Sequence, residues 1–326
     1  MEEVTGPRVD RELELHLVGD WGWANIHKVC GWLGAGLIER SKPGSRYAIW
    51  SAPFVAAETV RMIGSGQYDL AFSTPAQMVR NAIDGVGLYE GQPFPNLLSL
   101  GTFPQKDSLI LAIDASVGVK TFEDIRKKKP ALHIATQPND GTSNIGFVVD
   151  RLLAEAKIPR QVILEWGGSF IEHGPPDQCA QAVRDGRANA LFYEAVMTPY
   201  WRFLARDKKL DFIPFEPEVL KGLRNKFGWT TNILPAGSLE GLTFDLEAID
   251  WSDWISFVRP DFPEDAAYVL AWVACNTQEI IERQYRHLPV NISPLTYPIL
   301  PEKVAQTAIP LHPGAARYYR EKGLIR

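Results

Sequence analysis

The sequence predicts an α/β fold with two lobes, each a mainly parallel sheet flanked by helices. Three observations lead to this prediction. The chain has 326 residues, whereas a single hydrophobic core rarely grows beyond about 250–300 residues. Strand and helix patterns alternate along it, which is typical of parallel sheets covered by helices. After a loop rich in Gly and Pro at residues 84–96 and two apolar strands, the alternation starts again.

In the first lobe, strand patterns that alternate or end at glycine are followed by helical spacing of apolar residues. The predicted strands are residues 13–19, 47–51 and 68–73. The predicted helices are residues 24–40 and 55–63 and a third helix beginning near Pro75. The two apolar strands that follow the loop are residues 97–103 and 109–113.

The second lobe repeats the alternation without repeating the sequence. We predict helices at residues 122–128, 144–156, 177–185 and 199–206, and strands at residues 132–136 and 188–193. A strand at 255–258 and a long apolar helix at 263–286 fit against the first lobe. Lobe one is therefore assigned residues 1–106 plus 236–326, and lobe two residues 107–235. Two crossings make a double hinge, which suits closure around a ligand.

Composition excludes several classes of function. The net charge is −5 and the basic residues are scattered, which argues against a nucleic-acid partner. No apolar run approaches the roughly 18 residues of a membrane span, so no direct membrane insertion is expected. The three cysteines form no C-x-x-C pair, and we expect no metal site and no cofactor. Residues 1–12 lack the apolar stretch of a signal peptide. The protein is thus periplasmic if a leader has been removed, and cytoplasmic if Met1 is the true start.

Two loops are candidate ligand contacts, because ligands of open α/β sheets bind beyond the carboxyl ends of strands, near helix N-termini. The loop after the first strand contributes Asp20, Trp21, Trp23 and Asn25. The loop after residues 132–136 contributes Gly141, Thr142 and Ser143.

These candidates also have structural interpretations, which stay open. Asp, Gly, Thr and Ser are common helix-cap residues, and packing would explain the tryptophans nearly as well as a ligand. Glu194 follows the strand at 188–193 and suits a binding role, but it could equally cap a helix or hold a hinge. Cys30 is expected to be a buried, inert thiol on an apolar helix face.

Four segments carry a resemblance to a known family: IPLHPGAARYYREKG at residues 309–323, PAGSLEG at 235–241, PEDAAY at 263–268 and SGQYDLAF at 65–72. Together they resemble the TAXI group of solute receptors, which serve TRAP-type transporters. The most similar segment is 309–323, which is close to the terminal signature of that family. The similarity extends from about residue 13 to the end.

The resemblance implies a two-lobed, periplasmic-binding-protein-like (type II) fold with a ligand cleft between the lobes. It also implies no catalysis, a small carboxylate or amino acid as ligand, and the membrane subunits of a TRAP transporter as partners. Binding roles carry over to the first loop and to the following matching positions: Ser73, Thr74, Gly141, Thr142, Ser143, Tyr193 and Glu194.

Two departures from the family leave alternatives open. The first loop is bulkier and more aromatic than the family's small polar loop, so we expect a larger or ring-bearing organic acid. Residues 1–12 do not have the pattern of a leader, and if Met1 is the true start we keep open a cytosolic lyase, hydrolase or sensor that reuses the cleft. In that alternative the groups nearest to any chemistry are Asp20, His27, Cys30 and Glu194. A regulatory partner with an empty cleft is the third possibility.

Overall fold

The computed structural model describes residues 5–19, 24–52 and 57–326. The strands of this part are β1 (Glu14–Gly19), β2 (Arg46–Ser51), β3 (Leu70–Ser73), β4 (Leu98–Phe103), β5 (Ser108–Asp114), β6 (His133–Thr136), β7 (Ser169–Glu172), β8 (Ala190–Tyr193), β9 (Leu210–Phe212), β10 (Thr231–Leu234), β11 (Leu246–Asp250) and β12 (Trp254–Val258).

The helices are α1 (Asn25–Ile38), α2 (Ala57–Gly64), α3 (Ala76–Asp84), α4 (Phe122–Lys128), α5 (Asn144–Glu155), α6 (Arg160–Glu165), α7 (Pro176–Arg184), α8 (Pro199–Asp207), α9 (Pro217–Phe227), α10 (Glu264–Asn276), α11 (Gln278–Glu282), α12 (Pro301–Val304) and α13 (Pro313–Glu321). No helix among the described residues is both long and apolar enough to cross a membrane.

The chain divides into two compact units. Unit one comprises residues 1–106 and 252–326, and unit two comprises residues 107–251. This division puts the return crossing at 251/252, whereas the sequence placed it at 235/236. The reason is that β11 pairs antiparallel with both β10 and β5, which keeps it in the sheet of unit two.

Unit one is built on a five-stranded sheet in the order β2-β1-β3-β12-β4. The strands β2, β1 and β3 are parallel, and β12 runs antiparallel to its neighbours β3 and β4. One apolar cluster joins this sheet to α1 and α10, and a second packs against α2 and α3. Helices α1 and α10 pack closely at Gly36, where a Cβ would come within 2.7 Å of the Val273 side chain.

Unit two has a mixed seven-stranded sheet. Its main order is β10-β11-β5-β8-β6-β7, and β9 also pairs with β5. The strands β6, β7 and β8 are mutually parallel, whereas β5 runs antiparallel to β8, β9 and β11. This sheet is therefore less parallel than the sequence predicted. The parallel strands β6, β7 and β8 have their carboxyl ends at the same edge of the sheet.

The apolar helix predicted over residues 263–286 is broken at Thr277, which has a φ of −129°. The hydroxyl of Thr277 donates to the carbonyl of Val273 and accepts from the indole N–H of Trp32 at 2.9 Å. These two side-chain hydrogen bonds hold the residue between α10 and α11. Several elements of unit two were not predicted: α6, β7, β9, α9, β10 and β11.

Candidate functional site

The parallel strands of unit two bring three loops to one edge of the sheet. The strands β6, β7 and β8 end at Thr136, Glu172 and Tyr193, and the residues that follow belong to loops at their carboxyl ends. A side-chain network joins these loops. Gln137 Nε2 donates to Tyr193 Oη and to the carbonyl of Gly174, both at 2.6 Å, and the Tyr193 hydroxyl also donates to that carbonyl.

This network makes Tyr193 part of the framework. Its side chain is fully buried, and burial raises the pKa of the phenol above its usual range. Tyr193 thus positions the loop after β6 and the loop after β7. Gln137 has the same role, although the sequence offered no signal for it beyond its place in the loop.

The second predicted loop forms the N-terminus of α5. The Ser143 hydroxyl accepts from the backbone N–H of Gly146 at 3.1 Å and donates to Gln137 Oε1. Thr142 donates its backbone N–H to Asp140 Oδ1 at 2.9 Å, and Gly141 has a φ of +89°. Ser143 therefore caps the helix, and Thr142 lies in a turn closed by Asp140. A Cβ on Gly146 would lie 2.0 Å from the carbonyl oxygen of Pro138, so the loop lies against the first turn of α5.

Glu194 forms a buried carboxyl pair with Asp107, a residue that the sequence did not single out. Asp107 accepts backbone N–H groups from Ser108 at 2.8 Å, Ala195 at 3.1 Å and Val196 at 2.8 Å. Burial raises the pKa of Asp107 to about 6. Burial, together with the charge of Asp107, raises the pKa of Glu194 well above its usual range. Glu194 is therefore the member of the pair that keeps its proton more readily.

Several buried polar atoms around these strand ends have no hydrogen-bond partner within the protein. Thr136 is fully buried and its hydroxyl is unpartnered. Asn144, the first residue of α5, is 1% exposed, and neither atom of its amide group has a partner. Such groups are rare in folded proteins, because each loses its hydration without gaining a hydrogen bond. They indicate places where a ligand or water completes the structure.

A cavity of about 470 Å³ lies in unit two along one face of α7 and α8. His173, Asp177 and Tyr200 line it near the helix N-termini, and Arg184 and Arg187 lie farther along. Nε2 of His173 and Oδ1 of Asp177 are further buried atoms without a partner.

In unit one, the predicted residues that the structure describes lie at the end of β3 and at the start of α1. Ser73 ends β3, is fully buried, and has a hydroxyl without a partner. Thr74 Oγ1 accepts from Gln105 Nε2 at 2.8 Å. Asn25 begins α1, and its Oδ1 accepts from the hydroxyl of Tyr285 at 2.7 Å. Asp20, Trp21 and Trp23 lie outside the described residues.

Two of the groups considered for chemistry, His27 and Cys30, lie in α1. Cys30 is fully buried, and its thiol lies 3.6 Å from the carbonyl oxygen of Val18. Burial lowers the pKa of His27. Within the part of the chain that the structure describes, no three His, Cys, Asp or Glu side chains cluster as metal ligands would.

Comparison with solved structures identifies the fold. The structure is similar to that of a TctC solute binding protein from Polaromonas, with a TM-score of 0.50 and 12% identity over 96% of this chain and 97% of that chain. It is also similar to PhnD1 from Prochlorococcus marinus in complex with methylphosphonate, with a TM-score of 0.49 and 12% identity over 96% of this chain and 99% of that chain. The two-lobed, type II periplasmic-binding-protein-like fold predicted from the sequence is confirmed.

The family comparison covers most of the chain. Residues 52–323 match the model of the NMT1-like family, so the match includes β3 and all of unit two. The loops after β3, β6, β7 and β8 lie within the matched residues, whereas the loop after β1 precedes them. The protein described here is thus a member of the NMT1-like family.

Proposed function

We propose that this protein is a solute receptor that binds a small organic acid at the strand-end loops of its two units. The observation that carries the proposal is the set of buried, unpartnered polar side chains at those ends: Ser73 in unit one, and Thr136 and Asn144 in unit two. Unpartnered groups in a folded protein destabilise it, so the presence of these three at the ends of β3 and β6 and at the start of α5 favours a binding role.

The proposed ligand contacts are the predicted positions Asn25, Ser73, Thr74, Gly141, Thr142 and Ser143, together with Asp20, Trp21 and Trp23 of the first loop. Tyr193 and Glu194 act behind them, since the first holds two loops together and the second is paired with Asp107. The aromatic first loop supports a larger, ring-bearing acid, because tryptophan offers a planar apolar face for stacking.

The more specific assignment is to the TAXI group, with delivery of the ligand to the membrane subunits of a TRAP-type transporter and a location in the periplasm. Two of the segments that resemble the family pack together in unit one. A Cβ on Gly314 would come within 2.1 Å of the carbonyl oxygen of Glu264, and the rings of Tyr268 and Tyr318 are 5.4 Å apart. The contact between these segments supports the TAXI assignment, because two stretches that resemble the family form one packed structure.

A thermal-shift screen of aromatic and aliphatic carboxylates tests the binding function. An acid at about 100 times its Kd adds roughly 2.7 kcal/mol to the free energy of unfolding, which raises Tm by several degrees. For an acid that does so, Ser73→Ala and Ser143→Ala should each raise the Kd measured by calorimetry. Ser65→Ala is the matched control, because Ser65 is exposed near the end of α2.

Two results would contradict the proposal. The first is a screen in which no carboxylate raises Tm. The second is a carboxylate whose Kd is the same for the wild-type protein, Ser73→Ala and Ser143→Ala.

A further inference from the structure

Asn144 has a hydrogen-bonding capacity that the protein itself does not use. Its side chain is 1% exposed, and both the amide oxygen and the amide nitrogen are buried without a partner. An asparagine amide offers one acceptor and two donor hydrogens from a single planar group. A water molecule could meet one of these atoms, but a group with an adjacent donor and acceptor would meet both.

Asn144 lies where the two ends of the loop after β6 meet, a place that we call the loop neck. The loop begins after Thr136 and ends before Asn144, and the hydrogen bond between Gln137 and Ser143 ties its two ends together. Thr136 and Asn144 therefore flank the same hydrogen bond. The hydroxyl of Thr136, which can also donate and accept, is the second unpartnered group at this neck.

The lack of basic residues around this neck argues against a carboxylate as the ligand group that contacts Asn144. Residues 137–143, 173–175 and 194–198, which follow the three parallel strands, contain no Lys or Arg. Glu194 in the third loop is held by Asp107. A buried carboxylate needs a cation or several donors, and it could not donate a hydrogen to the Asn144 oxygen.

We infer that Asn144 binds an amide group of the ligand, either a carboxamide or a lactam, through a pair of hydrogen bonds. This inference rests on the proposed function and sharpens it: the ligand carries such a group in addition to its acid. A carboxamide donates N–H to Oδ1 of Asn144 and accepts N–H from Nδ2, so both atoms become satisfied. Recognition through paired polar groups discriminates strongly, because an analogue that lacks one of them leaves a buried atom unpartnered.

Matched acid and monoamide pairs test the inference by calorimetry. The probes are terephthalate against 4-carbamoylbenzoate, and succinate against succinamate. For the wild-type protein we expect the monoamide of at least one pair to bind at least about tenfold more tightly than its diacid. Asn144→Leu should abolish this preference and weaken binding of the monoamide by a similar factor. Asn225→Leu is the control, because Asn225 is an exposed residue of α9.

A second measurement separates a binding role from a structural one. Leucine has the same number and branching of side-chain heavy atoms as asparagine and no polar atoms, so Asn144→Leu loses no hydrogen bond within the protein and should keep or raise Tm while it loses the amide preference. A fall in Tm together with an unchanged preference would overturn the inference. So would diacids that bind the wild-type protein as tightly as their monoamides, and in that case the receptor function would stand. If no probe of either kind bound, although the wider screen had found an acid that raises Tm, the inference would fail and the receptor function would stand.

Discussion

The carboxyl groups of Asp107 and Glu194 share a hydrogen bond in the interior of unit two. Asp107 is the first residue of this unit, and Glu194 directly follows β8. The carboxyl group of Asp107 also accepts the N–H groups of Ala195 and Val196, and Ala195 has a φ of +63°. Two adjacent buried carboxyl groups cannot readily both be ionised, so one proton remains between them at moderate pH. The pair thus fixes the start of the loop after β8.

We expect the pair to make the free energy of unfolding depend on pH. Burial raises the pKa of Asp107 from 3.8 to about 6 and raises the pKa of Glu194 above 4.5. The folded state therefore holds these protons more tightly than the unfolded state. The stabilisation is complete below about pH 4 and is lost as the pH rises through about 6 and beyond.

Urea unfolding at several pH values between about 4 and 8 measures this dependence. In Glu194→Gln the side chain at 194 no longer titrates, while its amide can still donate to Asp107. The decline in stability with pH should therefore be shallower in this variant than in the wild-type protein. Equal slopes for the two proteins would show that the pair is not the source.

Removing Asp107 should destabilise the protein more than removing Glu194. Asp107→Ala leaves the backbone N–H groups of Ser108, Ala195 and Val196 without this acceptor, and each unsatisfied buried group costs about 1–3 kcal/mol. We expect a loss of about 3 kcal/mol or more by chemical denaturation. Glu194→Ala removes a group that competes with Asp107 for ionisation, so the loss of stability in this variant should be smaller. The opposite order would contradict the role assigned to Asp107.

Ser143 should contribute to both stability and binding, and a matched helix cap separates the two. Ser143 caps α5 through Gly146, and Thr121 caps α4 through Asp124 at 3.0 Å. Replacing either residue by Ala should cost about 1 kcal/mol of stability. Only Ser143→Ala should also weaken binding of an acid found by the thermal-shift screen. If Thr121→Ala weakened binding as much, the effect of Ser143→Ala would be one of stability alone.

The three cysteines should be unreactive in the folded protein. Cys30, Cys179 and Cys275 are buried free thiols, and burial raises the pKa of Cys179 and of Cys275 to about 12. A thiolate-selective reagent at neutral pH should label none of them until denaturant is added, because only the thiolate reacts readily. Rapid labelling of Cys30 in the native protein would contradict this expectation and favour the catalytic alternative.

Local patterns made much of the fold predictable. Helix α4 was predicted with its observed bounds, since Thr121 caps it and Phe122 and Ile125 form its buried face. The sequence did not reveal β7, because only four residues pair there and none of them is fully buried. Helix α9 is different, because its buried residues Val219, Leu220 and Leu223 have helical spacing and make it predictable from the sequence.

The site was predictable only for residues whose position follows from the order of strands and helices along the chain. The position of Ser143 before a helix indicated a cap, and the structure confirms that cap. The partnership of Glu194 with Asp107 joins residues 87 positions apart, and no local pattern encodes it. The same holds for Gln137, whose partners Gly174 and Tyr193 belong to the loop after β7 and to β8. Side-chain networks of this kind depend on sheet order, which periodicity does not specify.

Hydrogen exchange with and without a bound acid tests the central claim most directly, because it locates protection along the chain. With an acid found by the thermal-shift screen at saturation, amides at residues 73–79 of unit one and 140–147 of unit two should exchange more slowly. The exposed helix end around Asn225 should be unchanged and serves as the internal control. Protection confined to residues outside both strand-end regions, despite a clear rise in Tm, would contradict the account.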